Sequence, residues 1–345
     1  MNSLVPDISG RLTAVFAMNP QVAEAVLTQE IRARLAAVAD FDGSLVVTDL
    51  FAPGAAAAVA GADILITGWD APVLDAAALA RAPRLRAVFH AAGSVKPFAR
   101  QAVWDRGVVV SSAAEANAYP VAQYTVSMIL LAGKRAFRYA ADYRNGIWRS
   151  SHVEPRDGNR HRVVGVIGAS RIGRLVLPLL AAEGYRLLVS DPTLTRADAR
   201  RLLPGADLRL VDVDTLCREA DIVSIHAPAL PETHHLVDDR RLSLMRDGTI
   251  LVNTARGSLV DTEALVRHCG AGRIDAVLDV TVPEPLPPGH PLLAMPNVMV
   301  TPHIAGALGT EVSRFGDFAV AEVERFVAGK PLLGAVTADD LLWIA

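Results

Sequence analysis

Three segments place ionisable or hydrogen-bonding side chains directly after apolar, strand-like runs: NTARGSLVD at 253–261, LDVTVPEP at 278–285 and NVMVTPHIAG at 297–306. The carboxyl ends of strands are where an open α/β sheet collects its ligands. A fourth segment, HRVVGVIGASRIGR at 161–174, runs from an apolar strand through Gly168-Ala169-Ser170-Arg171-Ile172-Gly173 into a helical pattern. That spacing suits a dinucleotide. Gly168 permits a tight turn, Gly173 lets the helix pack close to the strand, and the intervening amides would face a pyrophosphate at a helix N-terminus. Ser170 stands where the fingerprint has its middle glycine, which would set the backbone slightly farther from the phosphates. Asp191 ends the next strand, 18 residues beyond Gly173, where the pattern wants an acid for the ribose hydroxyls. A carboxylate there repels a 2′-phosphate and favours NAD over NADP, while Arg196 close by works the other way.

The elements that must carry these groups are legible as alternation. From Leu12 onward, short β-rich runs alternate with helical patterns: strands at 12–17, 45–47, 63–66, 86–90 and 108–110, with a helix over Gln21–Val38. A long apolar helix over Pro120–Ala141 leads into the polar stretch 144–161. A second series has strands at 163–168, 186–191, 221–228, 248–255, 274–280 and 299–301, and a final helix over Gly309–Ala328. Strands separated by helices predict parallel, doubly wound α/β sheets.

Length and composition set the bounds. At 345 residues, with 51% hydrophobic and 21% charged residues, the chain is long enough for two cores and unlike a disordered segment. Mean hydropathy is +0.30, yet no apolar run approaches the roughly 18 residues a spanning helix needs, so no membrane association is expected. No basic-then-apolar leader is visible at the start, and the net charge of −3 comes without a basic face, so no nucleic acid is expected either. Cys217 and Cys269 lack metal-ligand spacing and read as two reduced thiols of a cytoplasmic protein, with no metal.

Taken together, the four motifs, with PETHHLVD (231–238) and HPLLAMPNV (290–298), resemble the D-isomer-specific 2-hydroxyacid dehydrogenase family over the whole second domain. The resemblance implies two doubly wound domains, a Rossmann NAD-binding domain at 118–305 and a flavodoxin-like substrate domain at 1–117. The chain would return to the substrate domain over 306–345, with a cleft and a closing hinge between the domains. It implies an NAD(H)-dependent interconversion of a 2-keto acid and a D-2-hydroxy acid. Arg256 would clamp the carboxylate through a bidentate guanidinium and polarise the carbonyl. His303 would be the proton donor in reduction and the base in oxidation, and Glu284 would hold its tautomer. Cofactor contacts are implied for Gly168, Ser170, Arg171, Ile172, Gly173, Asp191, His226, Ala227, Pro228, Thr233, Thr254, Ala255, Arg256, Asp279, His303 and Gly306.

The first domain matches less closely. HAAGSVKPF (90–98) resembles the loop whose backbone amides receive the substrate carboxylate, which assigns that role to Ser94 and Val95 with Gly93 allowing the turn. Lys96 stands where the family often turns acidic. It is either a solvent lysine or a cation for a second anionic group on the substrate. Thr281 and Val282 replace a common aromatic and acid, a change that bears on pocket shape. The long helix and the stretch after it resemble the family's dimerisation element, so a homodimer is expected. Two other readings stand beside the dehydrogenase: an NAD-binding corepressor-like interaction protein, and a formate- or phosphite-type dehydrogenase on the same scaffold.

Overall fold

In the computed structural model, residues 10–148 and 156–342 are described, so residues 149–155 of the polar stretch lie outside the described part, as do 1–9 and 343–345. The chain divides into two compact units. One takes in the residues up to Asn117 and those from Ala307; the other is Ala118–Gly306.

The first unit is built on strands β1 (Leu12–Ala17), β2 (Ala39–Asp40), β3 (Val46–Val47), β4 (Ile64–Thr67), β5 (Ala87–His90) and β6 (Val109–Ser112). Every pairing among them is parallel, with β2 and β3 in succession beside β1, then β4, β5 and β6. With β2 and β3 counted as one strand position, this is the flavodoxin-like order. Residues two apart line one face, as the pleat requires. Phe16, Ile64, Ile66 and Phe89 meet Phe315, Val320 and Val323 of the Ser313–Val327 helix, while Val15, Leu65 and Val88 meet Val59, Leu79 and Val103. Both faces are covered, which is why these strands read as unbroken apolar runs.

The second unit has β7 (Val163–Ile167), β8 (Arg186–Ser190), β9 (Leu208–Leu210), β10 (Ile222–Ile225), β11 (Thr249–Asn253), β12 (Ile274–Leu278) and β13 (Val298–Val300). The order is β13-β12-β11-β10-β7-β8-β9, again all parallel. Strand order therefore reverses between β7 and β10, the arrangement of a Rossmann sheet. The ends of β11, β12 and β13, which carry the three polar motifs, lie side by side.

Several expectations need correction. The helix expected over Gln21–Val38 is two, Pro20–Val26 and Gln29–Val38, because the Thr28 hydroxyl caps the second by accepting from the Ile31 amide at 3.4 Å. The helix expected over Pro120–Ala141 runs instead from Ala114 to Gly133, with a second over Ala136–Arg144. Alanine-rich sequence before Pro120 extends the first helix backward. Arg135 breaks it at φ +56, where its buried guanidinium bonds Asp275 and the Gly248 carbonyl. Strands β2 and β9 were not expected, since each is two or three residues long and partly exposed.

Candidate active site

At the switch point, Gly168 takes φ +95, and a Cβ there would lie 2.6 Å from the Ala227 amide nitrogen. A Cβ on Gly173 would lie 2.1 Å from the Gly168 carbonyl oxygen. Both positions are closed to a side chain by backbone, as close packing of strand, turn and helix demands. Arg171 and Ile172 open the Arg171–Ala182 helix, whose first amides have no intrahelical partners. The Ser170 hydroxyl donates to the His226 carbonyl at 2.7 Å. Asp191 accepts from the Ala169 amide at 2.7 Å and from the Thr193 amide and hydroxyl at 2.8 and 2.6 Å. A tight glycine turn, a helix N-terminus and a strand-end carboxylate fit a dinucleotide.

Beyond β10, His226 is buried, its Nε2 is 2.8 Å from Ser224 Oγ, and its Nδ1 has no partner among the described residues. Burial pushes its pKa down to about 4, so the ring is neutral. Ala227 and Pro228 follow, and Thr233 closes their loop by donating to the Pro228 carbonyl at 2.6 Å and accepting from the Leu230 amide at 2.8 Å.

The reactive groups come together at the neighbouring strand ends. His303 Nδ1 lies 2.6 Å from Glu284 Oε1, and both side chains remain open to solvent. Arg256 is half-buried. Burial lowers its pKa, and the nearby charge of Glu284 opposes that shift. The Arg256 guanidinium reaches the Ala255 carbonyl at 2.6 Å. Glu284 thus lies close to both His303 and Arg256.

Three supports hold these groups. Asp279, buried after β12, accepts from the Thr301 hydroxyl at 2.6 Å and from the Ile304 and Ala305 amides at 2.9 and 2.8 Å, and its carbonyl accepts from the His303 amide at 2.9 Å. His303 is held at φ +55. Thr254 turns its hydroxyl to Thr125 at 2.8 Å. Asn253 was not singled out from the sequence, yet it shapes the anchor turn by accepting from the Ala255 amide and donating to the Arg256 carbonyl. Arg174, also missed, donates to the Ala169 carbonyl at 2.8 Å. The signal for Asn253 was its place at the end of an apolar strand; nothing in the sequence pointed to Arg174.

In the first unit, the turn after β5 offers the amides of Gly93, Ser94 and Val95, which meet no internal acceptor among the described residues. His90 supports it from below. Its ring bonds Thr67 Oγ1 at 3.0 Å and the Ser94 backbone, it packs on Phe98, and burial lowers its pKa to about 4. Arg100 donates to the Lys96 and Pro97 carbonyls, and Lys96 itself is half-buried. No cluster able to hold a metal ion occurs among the described residues. No helix there is long and apolar enough to cross a membrane.

Residues 126–305 match the family model described as D-isomer specific 2-hydroxyacid dehydrogenase, NAD binding domain. Over 284 residues the chain is 34% identical to D-3-phosphoglycerate dehydrogenase of Mycobacterium leprae, covering 82% of this chain and 52% of that protein. It therefore spans about half the length of that relative. Identity to glyoxylate reductase of Thermofilum pendens is 33% over 265 residues, 76% of each chain. Among solved structures, the TT0316 protein from Thermus thermophilus superposes with a TM-score of 0.74 at 33% identity, covering 94% of this chain and 100% of that one.

Proposed function

Because this chain belongs to the D-isomer-specific 2-hydroxyacid dehydrogenase family, we propose that it interconverts a 2-keto acid and the corresponding D-2-hydroxy acid with NAD(H). The observation that carries the reading is the 2.6 Å contact between His303 Nδ1 and Glu284 Oε1 beside the half-buried Arg256. Glu284 accepts the Nδ1 proton, which fixes the tautomer and leaves Nε2 as the working nitrogen. In reduction Nε2 delivers its proton to the carbonyl oxygen; in oxidation it takes the hydroxyl proton back. Arg256 binds the carboxylate through two parallel hydrogen bonds and draws charge from the adjacent carbonyl. The Gly93–Val95 turn is assigned to substrate binding on the strength of its unpaired amides. Gly168, Ser170, Arg171, Ile172, Gly173 and Asp191 would hold the cofactor's diphosphate and adenosine ribose, with His226 to Pro228, Thr233, Thr254, Ala255, Asp279 and Gly306 along its remaining length. Bound NAD(H) supplies or accepts the hydride.

The test is NADH consumption on a panel of 2-keto acids including glyoxylate, hydroxypyruvate and phenylpyruvate, followed by chiral analysis of the product. An L-product, or no turnover with any member, ends this reading. We further assign the chain to a homodimer in the cytoplasm. The exposed Tyr143, Ile147 and Trp148, the first and last in edge contact at 5.8 Å, support an interface at the Ala136–Arg144 helix. The two buried free cysteines accord with a reducing compartment. Light scattering of Trp148→Glu against wild type tests the dimer.

A further inference from the structure

We propose that Tyr124 and Thr125, adjacent on the Ala114–Gly133 helix, are positioning residues that hold the turns carrying His303 and Arg256 in register with each other. The inference rests on the roles given to His303 and Arg256 above. Tyr124 Oη lies 2.7 Å from Thr301 Oγ1, which lies 2.6 Å from Asp279 Oδ1. The second bond fixes the direction of the first. An ionised carboxylate only accepts, so the single Thr301 proton goes to Asp279 and the phenol donates to Thr301. Asp279 in turn gathers the amides of His303, Ile304 and Ala305 and so sustains the left-handed backbone of His303.

Thr125 grips the other turn by the same logic. Its hydroxyl donates to the Val121 carbonyl at 2.8 Å, so it must accept from Thr254 Oγ1 at 2.8 Å. Both threonines are buried, and an apolar residue at 125 would leave the Thr254 hydroxyl without its acceptor. Thr254 is two residues from Arg256. One helix thus carries two consecutive hydroxyls, each bonded to one of the catalytic turns. A support mounted on a helix holds geometry more tightly than one mounted on a loop.

The test compares variants in glyoxylate reduction across pH, with the His303 ring followed by NMR and stability followed by melting. Tyr124→Phe should lower kcat about tenfold with little change in KM. It should also move the high-pH limb of kcat downward by on the order of half a unit, because Glu284 is held less closely to the imidazole. Thr301→Val should reproduce both effects and Thr301→Ser should restore them. Thr125→Val should raise KM about tenfold with the pH limb unmoved, and Thr125→Ser should restore it. A merely structural role would lower the melting temperature without splitting kcat from KM or moving the limb. The proposal is overturned if Tyr124→Phe keeps the wild-type limb and ring titration, or if Thr125→Val keeps the wild-type KM. If wild type reduces no 2-keto acid, the functional reading fails, while an unchanged His303 titration in Tyr124→Phe and Thr301→Val still overturns the grip.

Discussion

The Ser170 hydroxyl donates to the backbone carbonyl of His226 across 2.7 Å, joining the turn after β7 to the end of β10. A serine in place of the fingerprint's middle glycine therefore adds a tie across the switch point. A neutral hydrogen bond at a half-buried site is worth about 1 kcal/mol, or roughly fivefold in an equilibrium constant. Ser170→Ala should weaken NADH binding by about that factor in a fluorescence titration. Tighter binding by the alanine variant would mean that the hydroxyl hinders the phosphates.

The Asp191 carboxylate pins the Ala169 amide, and the proposed function gives it the ribose hydroxyls as a second task. NADH should exceed NADPH in kcat/KM. Asp191→Ala should narrow that gap and also raise KM for NADH, because the glycine turn loses its tie. A wild-type preference for NADPH would contradict the assignment.

His303→Ala should lose on the order of 10²–10⁴ in rate, the usual contribution of a positioned acid–base group, while NADH still binds. Glu284→Gln keeps the shape but not the charge, so it should chiefly displace the pH profile of kcat/KM. Retention of most activity by His303→Ala would put the proton donor elsewhere.

His90 and His226 are buried neutral rings whose pKa values are pushed down to about 4. Below the ordinary value near 6.5 the unfolded chain binds protons that the folded chain refuses, so stability falls as pH falls from about 6.5 to about 4. By pH 5 each should cost on the order of 2 kcal/mol. His90 belongs to the first unit and His226 to the second, so His90→Asn and His226→Asn should each flatten the acid dependence of its own unit in urea unfolding. An unaltered slope in both would show that other groups set the acid limit.

Much of the architecture was visible in the order of residues. Buried parallel strands must be apolar on both faces, so β1, β7, β10, β11 and β12 stand out as continuous runs. Helix breaks were harder to see. Thr28 and Arg135 interrupt helices whose apolar spacing continues through the break, and Arg135 does so by reaching Asp275, 140 residues away. Strand β9 is too short and too exposed to leave a pattern.

For the site, the residue types that could bind a carboxylate, move a proton and seat a pyrophosphate were determined by sequence alone, because each chemistry admits few side chains. Their strand-end positions followed from the apolar runs before them. What only the tertiary structure decided is which groups meet. Tyr124 bonds Thr301 across 177 residues and Thr125 bonds Thr254 across 129. The strand order β13-β12-β11-β10-β7 sets the motif turns side by side. Such pairings depend on how parallel strands are ordered and crossed over, a property of the closed sheet that local sequence does not carry.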